Sequence, residues 1–291
     1  MSAIPHAIIV GPGRVGLSLG YAMVRHDAVS ALTVCGRRPE PPSHPLFVQG
    51  LARYEFGLMR PDPDTAAVFL AVPDHVLPEL AHALAGHGKA PEGCVAFHLS
   101  GALSTDVLAP LNAQSYGVGA LHPLQAIAHS VSGADRIPGS YLAVTGGPEA
   151  VAVARRIAAA LDSPILTVPA ARRPAYHAAA VMASNFLPPL VDAACRILER
   201  AGIPFDEGLP ALAPLIRGTL DNIEEHGIAE SLTGPITRGD AETVALHLRA
   251  LEGSDRVLYS VLGREVARLA AGRAPEEALQ EILDLLDAEG R

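Results

Sequence analysis

The sequence predicts an α/β fold in which a mostly parallel β-sheet is followed by an all-helical C-terminal domain. In the first half of the chain, short β-branched runs alternate with helical segments, a pattern typical of βαβ units. Several of these runs are apolar throughout, as expected of strands covered on both faces. Beyond Pro169 only helical patterns follow. Because 291 residues suffice for two domains, we predict one at 1–168 and one at 169–291.

The individual elements are predicted from the same patterns. The first helix is expected at Val15–His26, and the strands at Ala7–Val10, Leu32–Cys35, Tyr54–Met59, Val68–Val72, Val95–Leu99, Tyr116–Ala120 and Tyr141–Thr145. In the second domain, Gly202 and Gly227 are typical of helix C-termini and Ser254 of an N-cap. The helices predicted there are Arg173–Ala201, Leu209–His226, Asp240–Leu251, Ser254–Ala271 and Pro275–Ala288.

Composition limits the classes of function. Hydrophobic residues make up 49% of the chain and charged residues 18%, which excludes extended disorder. The 31 acidic and 22 basic residues give a net charge of −9, so nucleic acid is not an expected partner. Lys89 is the only lysine in the chain. Any mechanism that needs a catalytic lysine in the second domain is therefore excluded.

Cysteine usage and apolar runs indicate the compartment. Cys35, Cys94 and Cys195 are widely separated, as is typical of free thiols in a reducing cytoplasm. The sequence has no Cys-x-x-Cys motif, so we expect no metal site. We interpret the N-terminal apolar run as a strand rather than a signal peptide, and runs such as Ala178–Val191 are shorter than a membrane span. We therefore expect a soluble cytoplasmic protein without a membrane partner.

A glycine-rich motif, Gly11-Pro12-Gly13-Arg14-Val15-Gly16, lies between the first predicted strand and the first predicted helix. Gly11 would permit the tight turn and Gly13 the close approach of a pyrophosphate, while Gly16 would let the helix pack on the strand. The helix N-terminus offers free N–H donors to phosphate. This context predicts a dinucleotide site rather than an unliganded turn.

The end of the second predicted strand indicates which dinucleotide binds. An Asp or Glu at this point would accept the ribose hydroxyls of NAD, but the sequence has Cys35-Gly36-Arg37-Arg38. Two guanidinium groups favour the 2′-phosphate of NADP(H), although two solvated surface arginines are the alternative. We predict NADP(H) as the cofactor.

Further candidate contacts lie at the ends of later strands, which meet at one edge of a parallel sheet. Val72 and Pro73 follow one strand, and Ser100 and Gly101 follow the next. We assign these four residues to the cofactor site. His122 precedes a proline near the end of a further strand and is either a structural residue or a substrate contact.

Two polar clusters occur in the helical half. His177 and Ser184 lie within about 20° of each other on one helix, with Asn185 on the adjoining flank. They form either a satisfied core network or the wall of an active site. The second cluster, Thr233–Asp240, is either a loop that ends in the N-cap Asp240 or a polar loop over an anion.

These motifs together resemble a known family. The glycine motif, His122-Pro123-Leu124-Gln125, Tyr176–Asn185 and Leu232–Asp240 are similar to those of the Rossmann-like oxidoreductases with a helical C-terminal domain of unknown function. That family is similar to ketopantoate reductases and, more distantly, to β-hydroxyacid dehydrogenases and pyrroline-5-carboxylate reductases. The resemblance spans nearly the whole chain. It implies a Rossmann-type NADP-binding domain, a helical domain that supports the active site and often the dimer interface, and substrate bound between them.

The chain departs from these relatives at one position. Members of the family commonly carry a lysine shortly before the Tyr-His pair, whereas this sequence has Arg173. Arginine keeps the charge and could draw in a substrate carboxylate, but it cannot become neutral near pH 7. This departure argues against direct transfer of ketopantoate reduction to this chain.

The sequence therefore predicts an NADPH-dependent oxidoreductase that reduces a small 2-oxo acid or a related carbonyl compound. Imine reduction and a non-catalytic NADP(H)-binding sensor or interaction protein are the alternatives. We expect an anionic small-molecule substrate and a homodimer formed by the helical domain. Because imidazole titrates near neutrality, His177 is the expected proton donor or an orienting group. Ser184 and Asn185 would hold the substrate, and Arg173 and His122 complete the predicted catalytic set.

Overall fold

Apolar β-branched runs in the first half of the chain form one sheet, as predicted. The computed structural model describes residues 3–288, and within them eight strands are hydrogen-bonded in the order β3-β2-β1-β4-β5-β6-β7-β8. The strands are β1 (Ile4–Val10), β2 (Val29–Gly36), β3 (Arg53–Phe56), β4 (Thr65–Leu70), β5 (Val95–His98), β6 (Gly117–Pro123), β7 (Leu142–Gly146) and β8 (Ile165–Thr167). Only β6 and β7 pair antiparallel among these neighbours, so the prediction of a mostly parallel sheet is confirmed.

Helices cover both faces of this sheet. They are α1 (Arg14–Arg25), α2 (Pro45–Val48), α3 (Leu77–Ala85), α4 (Ala109–Asn112), α5 (Ser130–Arg136) and α6 (Pro148–Ala160). One buried cluster joins the sheet to α1 and α6, with Phe69 stacked on Phe97 at 5.4 Å between ring centroids. A second cluster on the opposite face includes Leu77 and Leu84 of α3. Burial on both faces explains why the strands are apolar throughout.

The chain divides into two compact units between Ser184 and Asn185. This point lies later than the predicted boundary at 168/169, because helix α7 (Arg173–Ser184) belongs to the first unit. Arg173 at its start donates hydrogen bonds to groups that follow β5 and lie in β7. Tyr176 is hydrogen-bonded to β6.

Helices alone form the described part of the second unit, which agrees with the predicted all-helical domain. They are α8 (Leu187–Arg200), α9 (Phe205–His226), α10 (Pro235–Arg238), α11 (Ala241–Ala250), α12 (Gly253–Leu269) and α13 (Glu276–Asp287). The predicted helix Arg173–Ala201 is interrupted, with α7 ending at Ser184 and α8 beginning at Leu187. Pro188 and Pro189 lie in the first turn of α8, where a missing N–H costs nothing, so they favour a new helix.

The core of the second unit is unevenly distributed. Its buried apolar cluster draws on α10 to α13, with Val244 and Ile282 fully buried. Helices α8 and α9 bury only Ala193, Cys195 and Gly208 among their residues. Most of the apolar surface of α8 and α9 therefore lacks cover within this unit.

One apolar helical stretch is longer than the sequence analysis expected, which had found every apolar run too short to span a membrane. Ala170–Arg200 is long and apolar enough to cross a membrane by length and composition, with a mean hydropathy of 1.3, and 11% of its most apolar window is buried. Its N-terminal turn is nevertheless fixed to the sheet by Arg173, which is fully buried. The stretch is thus an exposed apolar segment whose first turn is anchored to the sheet.

Candidate active site

A cavity of about 1020 Å³ lies in the first unit at the carboxyl ends of β1, β2 and β4. The strand order reverses between β1 and β4, and open α/β sheets bind ligands in the crevice at such a point. Seven of the residues predicted to hold the cofactor line the cavity: Gly11, Pro12, Gly13, Arg37, Arg38, Val72 and Pro73.

The glycine loop has the geometry that a pyrophosphate requires. Gly11 adopts a φ of +111°, and a Cβ there would overlap the carbonyl of Ala71. At Gly13 the space where a Cβ would stand is open. Gly13 also precedes α1 without any side-chain cap, so the first N–H groups of α1 are left for a ligand. These residues therefore fit the phosphates of a dinucleotide.

The remaining motif residues support the loop from the side. Gly16 is buried against Gly11 and Ala71, as expected of close helix–strand packing. Val15 packs on the core, and Arg14 is exposed with its guanidinium 3.4 Å from the carbonyl oxygen of Ala128. They position the loop but do not line the cavity.

Arg37 and Arg38 are exposed at the far end of the same cavity. The Tyr54 hydroxyl donates a hydrogen bond to the Arg38 carbonyl at 2.7 Å and so fixes the backbone there. Glu40, which the sequence analysis did not include, also lines this part. Two guanidinium groups and one carboxylate leave a net positive charge, which suits a phosphate.

A polar cluster forms where β4, β5 and β6 end. Asp74 is exposed and accepts a hydrogen bond from the Ser100 hydroxyl at 2.8 Å. His98, at the end of β5, is fully buried, and its Nε2 lies 3.2 Å from the Ser104 carbonyl oxygen. Burial and then the charge of Arg173 lower the pKa of His98 to about 4. His98 is therefore a neutral imidazole with Nε2 as its donor.

His122 and Tyr176 come together from β6 and α7. The His122 Nδ1 and the Tyr176 hydroxyl are 2.8 Å apart, and the two rings meet edge to face at 5.8 Å. Burial, with His177 and Arg173 next in effect, lowers the pKa of His122 to about 4. His122 is consequently neutral at physiological pH, with Tyr176 as its partner.

His177 packs beside this pair. Its ring lies 5.8 Å from that of His122 at 90°, and a Cβ on Gly101 would overlap it. The buried Nδ1 of His177 has no hydrogen-bond partner among the described residues. Glycine at position 101 is thus required by the imidazole above it, which explains the Ser100-Gly101 sequence after β5.

Arg173 does not occupy the position expected of a substrate anchor. It is fully buried, and its guanidinium donates to Thr145 Oγ1 at 3.0 Å and to the Ser100 carbonyl. Both acceptors are neutral. Both terminal nitrogens of Arg173 are used inside the protein, and its predicted contact with a substrate carboxylate stays a prediction.

Ser184 and Asn185 are not brought into the cluster by any hydrogen bond. Ser184 is the last residue of α7 and is partly exposed, and Asn185 is exposed as the first residue of the second unit. Within residues 3–288 neither side chain has a hydrogen-bond partner. Their predicted contact with substrate stays a prediction.

Sequence reasoning missed Tyr176, His98 and Asp74 as site residues, although it quoted the motifs that contain them. A usable signal was present in α7. Arg173, Tyr176 and His177 are spaced i, i+3 and i+4, which places them on one helix face. His98 carried no such signal, since a histidine that ends an apolar strand looks like an ordinary strand residue.

The predicted Thr233–Asp240 cluster lies in the second unit and contains the short helix α10. Asp240 accepts a hydrogen bond from the Thr243 N–H at 3.0 Å and is the N-cap of α11, as predicted. His247 on α11 pairs with the Tyr259 hydroxyl at 2.8 Å. The second unit therefore contains a His–Tyr pair with nearly the same geometry as that of His122 and Tyr176.

Comparisons with known proteins agree with this fold. Residues 5–123 match the family described as Rossmann-like domain, and residues 140–266 match the family described as Domain of unknown function (DUF2520). The predicted pairing of a Rossmann-like domain with a helical domain of unknown function is thereby confirmed. No curated protein matches the sequence.

Similar solved structures cover nearly the whole chain. A Bacteroides fragilis protein to which NADP oxidoreductase activity is attributed has 22% identity and a TM-score of 0.70, over 90% of this chain and 97% of its own. The Plasmodium falciparum pyrroline carboxylate reductase with NADP bound has 10% identity and a TM-score of 0.61, over 98% and 99%. A reductive aminase from Aspergillus terreus has 13% identity and a TM-score of 0.58, over 99% and 94%. At these identities the likeness is one of fold.

Proposed function

We propose that this chain, in which a Rossmann-like domain is followed by a DUF2520 domain, is an NADPH-dependent reductase of a small carbonyl compound such as a 2-oxo acid. One observation carries the proposal. The cavity that fits a dinucleotide and the polar cluster of Ser100, His122 and Tyr176 lie at the same edge of one sheet. Bound cofactor would supply the hydride, and the chain would orient the carbonyl and deliver a proton.

Arg37 and Arg38 support the choice of NADPH over NADH. Both are exposed in the cavity and able to form charged hydrogen bonds with a 2′-phosphate. The variant Arg37→Ala with Arg38→Ala should lose about 2–4 kcal/mol of the preference for NADPH. Fluorescence titrations with NADPH and with NADH measure this preference. Arg155→Ala, which removes an exposed arginine on α6, is the matched control. Equal affinities of the unmodified protein for the two nucleotides would refute the assignment.

Imine reduction is the second candidate, and a specific observation favours it. A 2-oxo acid needs a cation near its carboxylate, but Arg173 is buried and bonded to neutral groups. Asp74 instead leaves an exposed carboxylate beside Ser100, which would attract a cationic iminium. The similar structures include a pyrroline carboxylate reductase and a reductive aminase.

NADPH oxidation with a panel of 2-oxo acids and cyclic imines separates the two candidates. If only the imines are turned over, the substrate class is a cationic imine and the proposal of a 2-oxo acid is refuted. Tight NADPH binding without turnover on either class would instead favour a non-catalytic NADP(H)-binding sensor. The binding titration is run on the same preparation, so that an inactive sample is not mistaken for a sensor.

A homodimer through the helical unit completes the proposal. Helices α8 and α9 bury three residues but expose Leu187, Leu190, Phe205, Leu209, Leu215 and Leu220. A second copy of the chain would cover this surface, since apolar patches of this extent mark interaction sites. Light scattering at micromolar concentration should give twice the monomer mass. A monomer that sediments with phospholipid vesicles would show that a membrane surface covers α8 and α9 instead.

A further inference from the structure

We infer that Tyr176 is the proton donor of the proposed carbonyl reduction, with His122 orienting its phenol and Arg173 stabilising the phenolate that forms. This assignment rests on the proposed function and concerns residues of the first unit only. It gives the role of the acid to Tyr176 rather than to His177.

The first argument is geometric. The Tyr176 hydroxyl lies 2.8 Å from His122 Nδ1, and Tyr176 is partly exposed. A neutral imidazole carries one proton, and with that proton on Nδ1 it donates to the phenol oxygen. The phenol O–H is then free to point toward a substrate. A general acid must reach the reacting atom in this way.

The second argument is electrostatic. The Arg173 guanidinium carbon lies 6.0 Å from the centroid of the Tyr176 ring. Burial raises the pKa of Tyr176, and the charge of Arg173 opposes that rise. Because the hydrogen-bond acceptors of Arg173 are neutral, its charge is available to a phenolate nearby.

The titratable groups around this pair come from four elements. They are Asp74 after β4, His98 on β5, His122 on β6, and Arg173 and His177 on α7. Asp74 is exposed, and its charge opposes the lowering of the pKa of both His98 and His122. Its charge opposes phenolate formation, but it is screened by solvent and held by the Ser100 hydroxyl.

The step balances without any further reactant. When the carbonyl carbon gains a hydride from the bound cofactor, the C=O π bond breaks and its oxygen requires a proton. The Tyr176 O–H bond breaks and a new O–H bond forms on the substrate, which leaves a phenolate held by His122 Nδ1–H. Because Tyr176 is partly exposed, water then reprotonates the phenolate. An iminium that arrives already protonated needs no proton from Tyr176.

The activity test uses Tyr176→Phe, which keeps the ring and removes the hydroxyl. We expect kcat for a carbonyl substrate to fall by about 10²–10⁴-fold with unchanged NADPH affinity. Turnover of a preformed iminium should change little. Tyr259→Phe is the matched control, because Tyr259 forms the same kind of pair with His247 in the second unit. Carbonyl turnover at the unmodified rate in Tyr176→Phe, with folding and NADPH binding intact, would overturn the assignment.

A second measurement is independent of turnover. The chain without cofactor, labelled with ¹³C at the tyrosine Cζ, is titrated by NMR, and the Tyr176 signal is the one missing in Tyr176→Phe. Loss of the imidazole in His122→Ala should raise the Tyr176 pKa by at least one unit. His122→Asn, whose amide nitrogen can replace Nδ1, should restore part of the difference. An unchanged Tyr176 titration in His122→Ala would overturn the orienting role, even if no substrate is found and the proposed reduction fails.

Discussion

Acidification should destabilise the protein through two buried histidines at the end of the sheet. His98 is fully buried, His122 is half-buried against Tyr176 and His177 of α7, and each has a pKa of about 4 compared with the usual 6.5. Burial is the main cause for both, since it disfavours the charged form, and Arg173 adds repulsion. We therefore expect the protein to lose stability when the pH is lowered from 8 to 5.

The sign follows from the protons bound in each state. In the unfolded chain these histidines are protonated below pH 6.5, whereas the folded chain keeps them neutral down to about pH 4. The stability that the folded protein gains by keeping these histidines neutral is therefore complete above pH 6.5, and it is lost as the pH falls toward 4. At pH 5 each histidine lowers the free energy of unfolding by about 2 kcal/mol, and the two together by about 4 kcal/mol. His6 and His44 have lowered pKa values as well and act in the same direction.

Urea unfolding at pH 8, 6.5 and 5 measures this loss. His98→Gln keeps a donor toward the Ser104 carbonyl, and His122→Asn keeps a nitrogen near Tyr176, so each removes a titrating group at small structural cost. Each variant should lose about 2 kcal/mol less than the unmodified protein between pH 8 and 5. His226→Gln is the control, because the His226 side chain is 51% exposed. A loss below about 1 kcal/mol in the unmodified protein would refute the reasoning.

Two other substitutions test separate contacts. Gly101→Ala places a Cβ against the His177 ring and should lower the free energy of unfolding by about 1–3 kcal/mol in urea. Adding His177→Ala should recover most of this loss, and equal losses with and without His177 would contradict the clash. Asp255→Asn removes a buried carboxylate that joins α12 to Arg196 and Arg200 of α8. The Tm measured by calorimetry should therefore fall by about 5 °C. An unchanged Tm would mean that this ion-pair cluster does not stabilise the second unit.

The features that the sequence predicted well are local ones. The glycine motif is a short run whose geometry depends on its own backbone, and Gly11 and Gly13 lie where the motif requires. Strands and helices follow from periodicity within each segment, with errors of a few residues at their ends. Asp240 as an N-cap likewise depends on a residue only three positions away. Such features need no knowledge of tertiary contacts.

The features that were missed depend on contacts between distant parts of the chain. His122 and Tyr176 are 54 residues apart, and their hydrogen bond exists only because α7 crosses the end of β6. The sequence analysis placed Arg173 where relatives carry a lysine and expected it to draw in a substrate carboxylate, but it bonds to Ser100 and Thr145 at separations of 73 and 28 residues. No periodicity marks such a position as buried. The domain boundary was placed too early for the same reason, because the attachment of α7 to the sheet is tertiary.

The burial that lowers stability in acid also restricts the acid–base chemistry of the site. At pH 7 a His122 with a pKa of about 4 is almost entirely neutral, so it accepts or orients but rarely delivers a proton as imidazolium. The second domain has no lysine, and Arg173 is a permanent cation that cannot act as an acid. Tyr176 carries a proton at this pH, with a donor at its oxygen and a cation beside its ring. Burial and the charge of Arg173 keep His98 and His122 neutral, which favours the phenol of Tyr176 as the proton donor that we propose.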